Sequence, residues 1–89
     1  MEIEFNIGYT LPDDKENVYS GAYTRELYPG ERIPREGDEI KLGFDDLSNT
    51  LFVVDRVCYE YDDGLKPVKI SVTAFTQGYY DKVGVFESN

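Results

Sequence analysis

Hydrophobic and polar residues alternate with period two along most of the chain, the spacing of a strand with one face on a core and the other in water. Ile3, Phe5, Ile7 and Tyr9 alternate with Glu2, Glu4 and Asn6, and Leu11-Pro12-Asp13-Asp14 ends the run. Gly8, inside it, is expected to mark a bulge or a twist. Val18 to Tyr28 reads in two ways. As a strand it sets Tyr19, Tyr23 and Leu27 on one face around Gly21. As a helix over about 14–27 it stacks the same residues at i, i+4 and i+8, with Asp13 and Glu16 imitating a capping box. Gly21 would cost that helix up to about 1 kcal/mol relative to alanine, so the strand is preferred. Tyr28-Pro29-Gly30 closes the segment with a turn.

Ile33-Pro34-Arg35-Glu36-Gly37-Asp38 launches the next strand, in which Ile40, Leu42 and Phe44 alternate with Glu39, Lys41 and Gly43. Asp45-Asp46-Leu47-Ser48-Asn49 is a hairpin-type loop. Leu51 to Tyr61 is the longest strand. Leu51, Val53, Asp55, Val57, Tyr59 and Tyr61 share one face, and Phe52, Val54, Arg56, Cys58 and Glu60 the other. Both faces begin apolar, which predicts a central strand covered on both sides over its first half. Asp62-Asp63-Gly64-Leu65-Lys66-Pro67 turns the chain into Val68, Ile70, Val72 and Ala74, and Tyr79 to Phe86 is expected as a short last strand or an arm. The expected fold is an all-β single domain over residues 1–89, a small antiparallel barrel or sandwich of five to six strands. The alternative is an α+β domain with one helix at about 14–27.

Charge narrows the set of partners. The 89 residues hold 18 acidic and 9 basic side chains, a net charge of −9 leaning towards the N-terminus. That sign repels phosphate backbones and anionic bilayers, so neither direct nucleic-acid binding nor membrane binding is expected. A basic protein partner is favoured through faster encounter. The same acids also serve simply to cover a solvent face. A domain of this size buries only roughly 60% of its unfolded surface, which leaves homo-oligomerisation as a further way to bury apolar area. The single cysteine, Cys58, and an acidic, alternating start point to a reducing, cytoplasmic setting.

The pattern Ile33-Pro34-Arg35-x-Gly37-Asp38-x-Ile40, then Phe52-x-Val54-x-x-Val57-x-Tyr59 and Val68-x-Ile70-x-Val72, resembles small uncharacterised β-rich proteins of bacteria and their phages. It is also similar to the strand-launching turn of SH3-like barrels. The resemblance spans about half the chain and implies a barrel; it carries no functional residue, and residues 11–32 lie outside it.

Catalytic chemistry finds little support. Without histidine there is no Ser-His or Cys-His pair and no imidazole ligand. Cys58, flanked by Val57 and Tyr59, reads as a buried apolar residue rather than a nucleophile. Asp45, Asp46, Asp62 and Asp63 could in principle serve a glycosidase pair or a calcium loop, but the spacing of an EF-hand is lacking and turn aspartates explain them. No enzyme, metal or cofactor is expected. The 8 tyrosines are the most suggestive feature, because tyrosine buries a large ring at low entropic cost while keeping a wet hydroxyl. Tyr19, Tyr23 and Tyr28, with Asp13, Asp14 and Glu16, form the expected partner-binding set. The expected function is a small acidic protein-binding module, an inhibitor or adaptor of phage or mobile-element type. A structural homo-oligomeric or virion subunit, and a small-ligand-binding barrel, are the alternatives.

Overall fold

The computed structural model describes residues 1–43 and 50–83. Five strands and one short helix follow in order: β1 (Glu2–Leu11), β2 (Asp14–Glu26), β3 (Glu39–Lys41), β4 (Leu51–Tyr61), β5 (Pro67–Phe75) and α1 (Gln77–Val83). The strands form one sheet in the order β2-β1-β5-β4-β3. Period-two alternation thus became strands, and β2 occupies the stretch for which a helix was the alternative.

The sheet is mixed, not wholly antiparallel. Two hairpins, β1–β2 and β4–β5, join through β1 and β5, which run parallel with Ile3 beside Ile70, Phe5 beside Val72 and Ile7 beside Ala74. Each hairpin contributes its more buried strand to this seam, and the seam lies at the sheet centre, where parallel strands are normally found. Ile3, Ile7, Phe52, Val54, Ile70, Val72 and Ala74 form the buried core on one face, here the front face. Full burial of each large aliphatic side chain contributes about 1.5–3 kcal/mol. Leu27, Ile33 and Leu42, from the chain around the β2–β3 connection, pack over this core.

The sheet does not close into a barrel. β3 has only three residues and pairs with β4 alone among the described residues, so β2 and β3 remain separate edges. The Pro34-x-x-Gly37-Asp38 segment does make a tight turn into β3. Gly37 sits at φ 91°, the Asp38 amide donates to the Arg35 carbonyl at 2.9 Å, and the Asp38 carboxylate accepts from the Arg35 amide at 2.8 Å. Such a turn aims a strand without requiring a barrel around it. Phe44 and the expected loop Asp45–Asn49 lie outside the described residues.

A bulge at Asp55 changes the expected two faces of β4. Val54 pairs with Ala74, but Arg56, not Asp55, pairs with Thr73. The extra residue moves every later side chain to the opposite face. Phe52 and Val54 are therefore followed on the front face by Val57 and Tyr59. Cys58, which the unbroken alternation would bury beside Val54, is instead exposed on the back face.

The segment expected as a last strand or arm is helical over Gln77–Val83; residues 84–86 lie outside the described part. Thr76 caps the helix. Its buried hydroxyl accepts from the Tyr79 amide at 3.2 Å and from the Thr10 amide at 3.3 Å, so one side chain both starts α1 and fixes it to β1. Tyr79 stacks on Phe75 with ring centroids 4.7 Å apart, over Gly8. That glycine provides room for the close approach rather than a bulge in its strand.

Candidate interaction surface

All six residues expected to bind a partner lie on or beside β2: Asp14, Glu16, Tyr19 and Tyr23 within it, Asp13 just before it and Tyr28 just after it. At the hairpin end, Asp14 accepts hydrogen bonds from the Tyr19 hydroxyl at 2.5 Å and from the Asn17 amide at 3.2 Å. The Tyr19 hydrogen bond, followed by that of Asn17, holds the Asp14 carboxyl below its ordinary range, and the same carboxylate raises the Tyr19 phenol. Tyr19 also stacks on Tyr9 at 5.7 Å. It is thus tied into the hairpin, while Asp13 and Glu16 stand exposed beside it. Glu16 has one distant cationic neighbour, Lys82 of α1, at 3.8 Å.

At the other end, Tyr28 is 64% exposed and follows the strand into the Tyr28-Pro29-Gly30-Glu31 turn, where Gly30 takes φ 76°. Arg25 lies over the Tyr28 ring at 4.7 Å and over Phe5 at 5.9 Å. Its guanidinium grips both oxygens of Glu31, at 2.9 and 2.6 Å, in the bidentate geometry that makes such pairs strong. Glu31 also accepts from the Tyr28 amide at 3.0 Å. Arg25, then that amide, depress the Glu31 carboxyl to about 2 from an ordinary 4.5. A carboxyl lowered on folding stabilises above its unfolded pKa and loses that contribution as pH falls through its folded one. Stability should therefore decline between about pH 4.5 and 2 from this group. In urea titrations across that window, Glu31→Gln should start less stable near neutrality and lose less on acidification. An unchanged slope would exclude the pair as a contributor. Sequence reasoning passed over Arg25 and Glu31, although their six-residue separation across a Pro-Gly turn was a usable sign.

Tyr23 lies between the two ends, 41% exposed on the front face. It lines a cleft of about 320 Å³ with Phe5, Thr24, Arg25, Lys41, Leu42 and Gly43, between the end of β2 and the exit of β3. A second, shallower groove of about 410 Å³ runs on the back face between β2 and α1, bordered by Asn6, Ser20, Ala22, Thr73, Phe75 and Tyr79. Among the described residues no charged side chain borders it.

Apolar exposure concentrates elsewhere, at the far end of the β4–β5 hairpin. Leu65 is 80% exposed, and Tyr59, Tyr61 and Val68 are exposed beside it. Tyr59 and Tyr61 suit strands, which is how the sequence accounts for them, yet the covering connection does not reach them. Asp62 is occupied in the turn, its carboxylate accepting from the Gly64 and Lys66 amides at 2.9 and 3.0 Å. Among the described residues no group of three or more His, Cys, Asp or Glu side chains is arranged to hold a metal ion, and no helix is long and apolar enough to cross a membrane.

No protein-family model matches this chain, and no curated protein or solved structure matches it either.

Proposed function

We propose that this chain is a small acidic protein-binding module, an inhibitor or adaptor that engages a basic partner protein along β2 and the hairpin leading into it. The observation that carries this reading is the placement of four of the six candidate residues on one edge strand and the other two at its ends, with exposed acids at one end and exposed aromatic rings towards the other. Exposed acids of this kind speed encounter with a positive surface and make binding salt-sensitive. Aromatic side chains near them supply the contact area that holds a complex together.

The test is retention of a partner from lysate at low and high salt, with and without charge reversal. Asp13→Lys with Glu16→Lys is the informative pair, because Asp14 also holds Tyr19 in place. Binding should weaken about tenfold and lose most of its salt dependence, as expected when two peripheral charges turn from attractive to repulsive. Undiminished binding by the double variant would exclude an electrostatic mode.

A second reading, a self-associating structural subunit, is favoured by the apolar patch of Tyr59, Tyr61, Leu65 and Val68. Sedimentation at high protein concentration separates the two: an oligomer stable in high salt and dispersed by Leu65→Lys would support this reading over the first.

A further inference from the structure

The sheet treats its two edges differently. β3 offers three residues, whereas β2 offers thirteen, with no proline and no charge from Val18 to Thr24. Proteins usually protect an open edge with charge, proline, a bulge or brevity, and the middle of β2 has none of these.

The hydrogen bonds show which backbone groups are left over. The Leu27 amide donates to the Met1 carbonyl at 2.9 Å, so residue 27 turns towards β1. Gly8 accepts from Thr76 at 3.0 Å on the opposite side of β1, in agreement with that phase. Antiparallel pairing alternates, so residues 19, 21, 23 and 25 turn their N–H and C=O groups towards β1, and Ser20, Ala22 and Thr24 turn theirs outward. No described residue bonds to these outward groups. Glu26, next in the same phase, already has its carbonyl occupied by the Arg25 guanidinium at 2.9 Å. The open stretch therefore ends where Arg25 folds back.

We propose that Ser20, Ala22 and Thr24 receive an extended basic segment of the partner protein as an added strand on the outer edge of β2. This deepens the proposed function and rests on it. Strand addition takes its affinity from the backbone and its selectivity from the flanking side chains. Here the outward residues lie in one row that continues to the exposed Glu26, 3.4 Å from the N-terminal amine, and the exposed Glu16 lies before it, across the register shift between Asp14 and Tyr19 and 3.8 Å from Lys82. Tyr19 and Tyr23 flank the other face. A lysine or arginine near each end of the incoming strand would meet Glu16 and Glu26.

A second copy of the chain fits this edge poorly. A two-fold pairing centred on the open stretch at Ala22 sets Val18 against Glu26 and Ser20 against Thr24, and gives neither Glu16 nor Glu26 a cationic mate. Each copy also carries −9.

The test uses the full chain and a synthetic peptide of alternating valine and threonine with lysines at both ends, beside a counterpart ended with glutamates. Amide exchange is followed by NMR. The expected result is slowed exchange at Ser20, Ala22 and Thr24 with the lysine-ended peptide, and at least a tenfold weaker response to the glutamate-ended one. Ala22→Pro removes an outward donor without touching the β1 ladder and should abolish the response. If proline unfolds the chain, Ala22→Lys, which leaves the backbone intact and puts a charge mid-edge, should do the same. Protection elsewhere, equal response to both peptides, no response at millimolar peptide, or a β2-mediated dimer without peptide would each overturn the proposal. A lysate partner still captured by Ala22→Lys, with its salt dependence intact, would leave the binding reading standing and remove only the added strand.

Discussion

Phe52→Ala is expected to lower the stability of the fold by about 3–5 kcal/mol, the usual cost of truncating a fully buried aromatic ring. Phe52 has no exposed surface, and it is the largest of the fully buried side chains. It faces Ile40 across the β3–β4 pairing and presents to Tyr9 edge-on with ring centroids 6.4 Å apart. A chain of this length has only about 4–13 kcal/mol of total stability, so the variant should sit close to its unfolding threshold at room temperature. Urea titration followed by circular dichroism would show a reduced midpoint at unchanged slope. Phe52→Leu, which refills most of the space, should cost less than about 1.5 kcal/mol. A loss below about 1 kcal/mol for the alanine variant would mean that the front-face core is not packed around this ring. The loss should also reach the acidic hairpin, because Phe52, Tyr9, Tyr19 and Asp14 form a continuous series of contacts from the core to the surface.

Gly8→Ala is expected to cost about 1–3 kcal/mol by overpacking, and to do so by dislodging α1. A Cβ on Gly8 would lie 2.6 Å from Tyr79 Cε2 and 2.8 Å from Phe75 Cδ1. Neither ring can swing away easily, since they stack on each other and Tyr80 meets Phe75 edge-on at 5.6 Å. The backbone itself would accept alanine, so the effect is steric. That makes it reversible: Tyr79→Leu should be destabilising alone but should recover part of the loss in the Gly8→Ala background, an interaction energy visible in a double-mutant cycle. Additive losses would show that Gly8 and Tyr79 act independently. The Tyr80 phenol, raised chiefly by burial and then by the charge of Asp55, should titrate closer to its ordinary range once α1 lifts.

Much of the fold was legible along the chain because its logic is local. The alternations at Ile3–Tyr9 and Val68–Ala74 needed no tertiary information, and the Pro-Gly and Gly-Asp turns follow from backbone chemistry. The bulge at Asp55 was not legible. It keeps the strand's hydrogen bonding going while inverting its faces, and nothing in Val54-Asp55-Arg56 distinguishes an inserted residue from a regular one. Cys58, read as buried from its place in mid-strand between Val57 and Tyr59, is exposed on the face to which the bulge turns it. α1 was hidden by Tyr79 and Tyr80, which favour strands, although Thr76 followed by Gln77 and Gly78 contained a cap. Openness of the sheet depended on how far β3 extends, which turn chemistry does not decide. Of the candidate surface, the acids and tyrosines were visible by type. That β2 is an edge, and that Ser20, Ala22 and Thr24 face outward, depends on which strands become neighbours.

The parallel seam between β1 and β5 has a consequence for the order of events during synthesis. The Thr10–Thr76 bond beside it closes 66 positions of separation, and contacts that remote are slow to form. The β1–β2 hairpin leaves the ribosome first and can zip up alone, but its apolar face has no mate until β5 follows. Both sides of that hairpin are then open to stray strands, and β5 later seals only one of them. A chaperone, or early capture by a cognate partner, would be most valuable in that interval.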